Sequence, residues 1–98
     1  MMYKIKLKTG FYETTLYYLS IMKGIIHLVE DKNPPDNSIS IVDEDLISIL
    51  LYKGKHSEIE IKTRERIISG IFEENQDLRE IHQELKKNIN SKVIYEEE

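Results

Sequence analysis

The side chains able to do chemistry are few, and their spacing says more about binding than about turnover. Lys4, Lys6 and Lys8 recur at every second residue. On a strand they project to one side, about 6.6–6.8 Å apart. There they would meet phosphates or an acidic segment, and Lys4, Lys6, Lys8 and Lys23 form the candidate anion- or lipid-binding set. The commoner use of such a stripe is as outward charge that discourages edge pairing. The histidines His27, His56 and His82 show no H-x-x-x-H or H-E-x-x-H spacing, so no metal site is expected. Asp43-Glu44-Asp45 matches a calcium loop only in charge, lacking its alternating ligands, its glycine and its distal glutamate. The serines lack a G-x-S-x-G context, and no glycine loop could cradle a phosphate. No catalytic residue and no cofactor is expected, and the chain reads as a binding protein. Tyr12, Tyr17 and Tyr18 fall in one strand-like run, Tyr12 and Tyr18 on one face and Tyr17 on the other. Exposed tyrosine is enriched at protein interfaces, which makes Tyr12 and Tyr17 candidate partner contacts.

The elements that must position these groups are mostly strands. Tyr3 to Thr9 and Ser57 to Thr63 alternate apolar with charged residues, the pattern of half-buried strands. Phe11 to Leu19, Ile25 to Glu30, Ser38 to Val42, Leu46 to Tyr52 and Arg66 to Phe72 read as further strands by propensity and alternation. Gly70 within the last of these marks a bulge or a close backbone approach. Asp31 to Ser38, with Pro34-Pro35, is the clearest loop, since proline cannot donate to a ladder. The period then changes. Leu78, Ile81, Leu85 and Ile89 fall at i, i+3, i+7 and i+11, one stripe of a helix predicted from Asn75, as N-cap, to about Ile89. Val93-Ile94-Tyr95 either adds a short strand or frays, and the three closing glutamates are expected to be disordered. The domain reading is therefore residues 1–92 as one unit and 93–98 as an acidic tail.

Composition limits the classes of partner. The 98 residues suffice for one modest core. The formal charge of −4 argues against broad phosphate neutralisation, so no nucleic acid is expected. The absence of cysteine excludes disulfides, thiolate zinc sites and cysteine nucleophiles. The lysine-interrupted start lacks the continuous apolar core of a signal peptide, and no run approaches the roughly 20 apolar residues of a membrane span. A cytoplasmic location is the expectation.

Gly24-Ile25-Ile26-His27-Leu28-Val29 resembles the third strand of GRAM and bacterial pleckstrin-homology-like domains. Ile39-Ser40-Ile41 followed by Asp45-Leu46-Ile47-Ser48-Ile49 is similar to the strand that follows there. Ile59-Glu60-Ile61, Ile71-Phe72 and the terminal helix resemble the way those domains end. The resemblance rests on pattern over nearly the whole chain. It implies a mainly β (α+β) fold: a curved antiparallel sheet or partly open β-barrel of six to seven strands capped by one C-terminal α-helix. It further implies a non-enzymatic adaptor that engages a protein or peptide partner beside Arg66 to Phe72 and the helix, with Arg66, Ile68, Gly70 and Phe72 as candidate contacts. Peripheral binding to anionic lipid headgroups through the lysines is the alternative, and self-association into a homo-oligomer the third reading.

Overall fold

A computed structural model of the chain describes residues 2–73 and 76–98. Strands β1 (Met2–Lys8), β2 (Thr14–Met22), β3 (Ile25–Glu30) and β4 (Ser38–Val42) form a meander. A single 3-10 turn at Asp43–Asp45 leads to β5 (Leu46–Lys53), β6 (Ser57–Thr63) and β7 (Ile67–Phe72). Helix α1 (Leu78–Asn88) and strand β8 (Lys92–Glu97) follow. The eight strands make one sheet in the order β4-β3-β2-β1-β7-β6-β5-β8. Every neighbouring pair is antiparallel except β5 and β8, which run parallel from Ser48↔Lys92 to Lys53↔Glu97.

The alternation read from the sequence fixes which face is buried. Tyr3, Ile5 and Leu7 of β1 point inward, as do Ile59 and Ile61 of β6, while Lys6, Lys8 and Glu60 face out. β5 is apolar on both sides, and a bulge between Leu46 and Ser48 resolves the ambiguity. The extra residue, Ile47, is left 47% exposed, while Leu46, Ile49 and Leu51 all enter the core. Helix α1 lies against β2, β5 and β8 and buries Leu78, Ile81, Leu85 and the adjoining Ile89, the stripe its spacing predicts.

Several expectations are corrected. The sheet has eight strands rather than six to seven and is mixed rather than wholly antiparallel; it is open, with β4 and β8 at its two edges. Residues 93–98, set apart in the sequence as an acidic tail, run on from Lys92 along β5, because the helix carries the chain back across the sheet to an edge whose backbone groups need partners. Strand β2 begins at Thr14, not Phe11. Thr9 N–H donates to the Glu13 carbonyl at 3.1 Å and closes a loop there, so Tyr12 does not share a face with Tyr18. Finally, the helix N-cap is Asp77, whose carboxylate accepts the Arg79 N–H at 3.0 Å. Asn75, expected in that role, lies outside the described residues.

Among the described residues, no helix is long and apolar enough to cross a membrane.

Candidate functional site

The two sheet edges differ in chemistry. β8 carries Lys92, Glu96 and Glu97, charges that obstruct a further strand. The first residues after α1 are also held down. The Asp43 carboxylate accepts the Asn90 N–H at 2.7 Å and the Ser91 N–H at 3.0 Å, together with the Ser91 hydroxyl. These bonds, led by that of the Ser91 hydroxyl, hold the Asp43 carboxyl below its ordinary range. At the far end of β8, Arg79 reaches Glu97 at 3.5 Å, and the Tyr95 ring stacks on His82 at 5.4 Å.

β4, by contrast, reads Ser38-Ile39-Ser40-Ile41-Val42, with neither charge nor proline. One side of it is bonded to β3 from Ile25↔Val42 to Val29↔Ser38, and the other side has no strand. The open side faces a cleft with two lobes. One lobe, of about 170 Å³, lies between Ile39, Ser40 and Ile41 and the β6–β7 turn from Thr63 to Arg66. The second, of about 450 Å³, continues past Asn37 and Ser38 to Lys8, Tyr17 and Ile67. Ile39 and Arg66 line both lobes.

The turn that forms the opposite wall is rigid for local reasons. The Thr63 hydroxyl accepts the Arg66 N–H at 3.0 Å, and Thr63 N–H donates to the Arg66 carbonyl at 2.9 Å. Arg64 N–H donates to the Asp45 carbonyl at 3.1 Å, which ties the turn to the chain just ahead of β5. The guanidinium groups of Arg64 and Arg66 form no ion pair among the described residues.

The cleft gathers four candidates that the sequence leaves apart: Arg66, Tyr17 and Ile68, read as partner contacts, and Lys8, read as part of the lysine stripe. Gly70, Phe72 and Tyr12 line neither lobe. Ile68, Gly70 and Phe72 are buried on the inner face of β7, a strand paired on both sides. Gly70 is a close-approach position, since a Cβ there would sit 2.8 Å from Ile5 Cδ1 and 2.9 Å from the Lys6 carbonyl. Tyr12 is 92% exposed at the β1–β2 tip, edge-to-face with Phe11.

The lysines do not converge. Lys4 is half-buried beside Asp31, at 3.8 Å, and over the Tyr18 ring. Lys6 stands opposite Ile71, which stands opposite Glu58. Lys23 is in the β2–β3 turn beside Asp43 and Glu44, at the other end of the β1–β2 hairpin from Lys8. The broad depression around Lys23 is larger, about 670 Å³, but its Asp43 carboxylate is already bonded to Asn90 and Ser91. The histidines fall on β3, the β5–β6 turn and α1, and among the described residues no three His, Asp or Glu side chains are grouped to hold a metal ion.

Sequence reasoning missed Ile39, Asn37 and Arg64 and, above all, the open backbone of β4. The one local signal was the uncharged Ser-Ile-Ser-Ile-Val run, and strand order decides whether such a run lies at an edge.

A scan against models of known protein families finds no match, and a search of curated proteins finds no similar sequence.

Proposed function

We propose that this protein is a non-enzymatic binding module of pleckstrin-homology-like type whose ligand is an extended peptide segment of another protein, added as a ninth strand along β4. The observation that carries this reading is the uncharged, unpaired β4 edge beside a preformed cleft. Every second residue added beside such an edge satisfies main-chain groups that otherwise face water, and alternate side chains of the guest enter the cleft. Seven successive antiparallel strands with a helix packed against their inner side support the likeness of type.

The test is selection of a phage-displayed random 12-residue peptide library on the whole protein, followed by NMR titration of the 15N-labelled chain with a winning peptide. Amide shifts confined to Ser38–Val42 and the Thr63–Arg66 turn are expected. Ser40→Lys, on an exposed position of the edge, should abolish them. Failure to enrich any peptide, or shifts centred on β8 or α1, would overturn the assignment. Light scattering at two concentrations reports whether a second copy of the chain takes the edge instead.

A further inference from the structure

We infer that the Lys8–Tyr17–Arg66 lobe of the cleft is a carboxylate-binding subsite, so that the peptide taken by β4 is one with an aspartate or glutamate side chain near the Ser38 end. The inference rests on the β4-edge reading for the identity of the ligand, but the subsite itself rests on separate observations.

The first observation is Tyr17. It is only 5% exposed, yet its hydroxyl makes no hydrogen bond among the described residues, and its side chain lines the lobe. No side-chain polar atom among the described residues is both fully buried and unpaired, so this hydroxyl reaches the space of the cleft. A phenol held in an otherwise buried ring without a partner is a donor aimed at whatever enters. Burial, and after it the field of Glu30, raise the phenol above its ordinary range, while Arg66 acts in the opposite direction. The hydroxyl therefore keeps its proton at neutral pH and can donate.

The second observation is charge. Lys8 and Arg66 line this lobe, and among the described residues no carboxylate does. Glu30 acts on Tyr17 as an acidic neighbour, and its side chain already accepts the Asp36 N–H at 3.2 Å. In the neighbouring lobe Asp45 and Glu65 stand beside Arg64 and Arg66, so positive charge is uncompensated only at the Lys8 end. An arginine fork, an ammonium and a phenol offer donors and no anionic acceptor, which suits a carboxylate. The lobe adjoins Ser38, where β4 begins, so a guest strand paired with β4 passes its mouth.

The experiment uses a selected peptide and its twin in which the acidic residue is replaced by the corresponding amide, titrated into wild-type protein and into Arg66→Gln, Lys8→Gln and Tyr17→Phe. The amide peptide should bind wild type about tenfold more weakly, as expected for losing charge-assisted bonds. Arg66→Gln should weaken the acidic peptide by a similar factor and leave the amide peptide unchanged. Tyr17→Phe, which keeps the buried ring, should weaken only the acidic peptide. If both peptides shift β4 amides with equal affinity, the carboxylate subsite is wrong and the edge reading stands. If no peptide shifts β4, sodium acetate serves as the separate probe: a saturable change at the Arg66 Nε–H, absent in Tyr17→Phe, supports the subsite while the edge reading fails. No response to acetate in that case overturns both. Cosedimentation with anionic phosphatidylserine vesicles that is lost in Arg66→Gln would assign the lobe to a lipid headgroup and overturn the peptide carboxylate.

Discussion

Replacing Gly70 by alanine tests the packing of β1 against β7, which holds the two halves of the sheet together. The new methyl carbon would lie 2.8 Å from Ile5 Cδ1, 2.9 Å from Ile5 Cγ1 and 2.9 Å from the Lys6 carbonyl oxygen. Favourable carbon contacts begin at about 3.5 Å, so the nearest pair overlaps by about 0.7 Å. Ile5 is fully buried, and the Lys6 carbonyl belongs to a strand tied to β7 by the Leu7↔Gly70 pair, so neither retreats freely. Overpacking of this kind costs about 1–3 kcal/mol, and the backbone contact places this site near the upper end. Alanine recovers about 0.5–1 kcal/mol by restricting the unfolded chain. The net loss is about 2 kcal/mol, or a fall in Tm of about 8–16 °C for a domain of this size.

Ile5→Val supplies the internal check. It removes Cδ1, the closest atom, and alone costs about 0.5–1.5 kcal/mol. Combined with Gly70→Ala it relieves one of the three contacts and leaves the carbonyl in place. The double variant should therefore be about 1 kcal/mol more stable than the sum of the single losses. Urea unfolding followed by circular dichroism measures all three. A Gly70→Ala protein within about 0.5 kcal/mol of wild type, or strict additivity in the double variant, would refute the packing argument.

Asp43→Ala removes the acceptor that holds the start of β8 and should cost about 1–2 kcal/mol at neutral pH, with faster hydrogen exchange along Lys92–Glu97. Because the folded Asp43 carboxyl titrates below its unfolded range, its contribution is full above about pH 4 and fades as the pH falls through the lowered value, so the variant's stability should decline less in acid; an unchanged acid limb would count against the bond network. Burial first, and Lys86 second, lower His82, so its stabilising effect is complete above the ordinary histidine range and is lost as the pH falls through the depressed value. His82→Phe should flatten the stability profile from the ordinary histidine range downward, and a retained slope would locate the titrating group elsewhere. Phe11→Ser and Tyr12→Ser, at side chains 91% and 92% exposed, should shift the unfolding free energy by less than about 0.5 kcal/mol; a larger loss would mean the β1–β2 tip packs on the body.

Most of the sheet was legible because its strands are two-faced in composition. β3, β4 and β6 have the bounds their alternation implies, since each carries a run of inward apolar residues between turn-forming residues. Phe11 and Tyr12 misled because strand propensity measures fit to a pleated surface, and no neighbouring strand extends to meet them. The helix stripe was plain, but its first turn was not, because Asn75 and Asp77 are both competent caps. β8 was ambiguous for a different reason. Val93-Ile94-Tyr95 is too short to declare itself, and only the open side of β5 makes a strand of it. Tyr17 and Lys8 were singled out by residue type and Arg66 by the family resemblance, three unrelated reasons. Their common cleft depends on β4 ending the sheet opposite the β6–β7 turn, and such an arrangement has no local signature.

The position of β1 bears on how the chain is made. The first strand in the sequence sits fourth in the sheet, with β2 on one side and β7 on the other. As the polypeptide leaves the ribosome, β1 to β4 can fold as consecutive hairpins, each closing a short loop. The other side of β1 must wait for Phe72 to pair with Ile5. During that interval Ile5 and Leu7, fully enclosed in the finished molecule, belong to a strand with one bare edge. Lys4, Lys6 and Lys8 alternate with those residues, so the nascent edge carries a positive charge at every second position while it waits. Such alternation of lysine with apolar residues is the pattern that discourages edge-to-edge pairing between neighbouring strands.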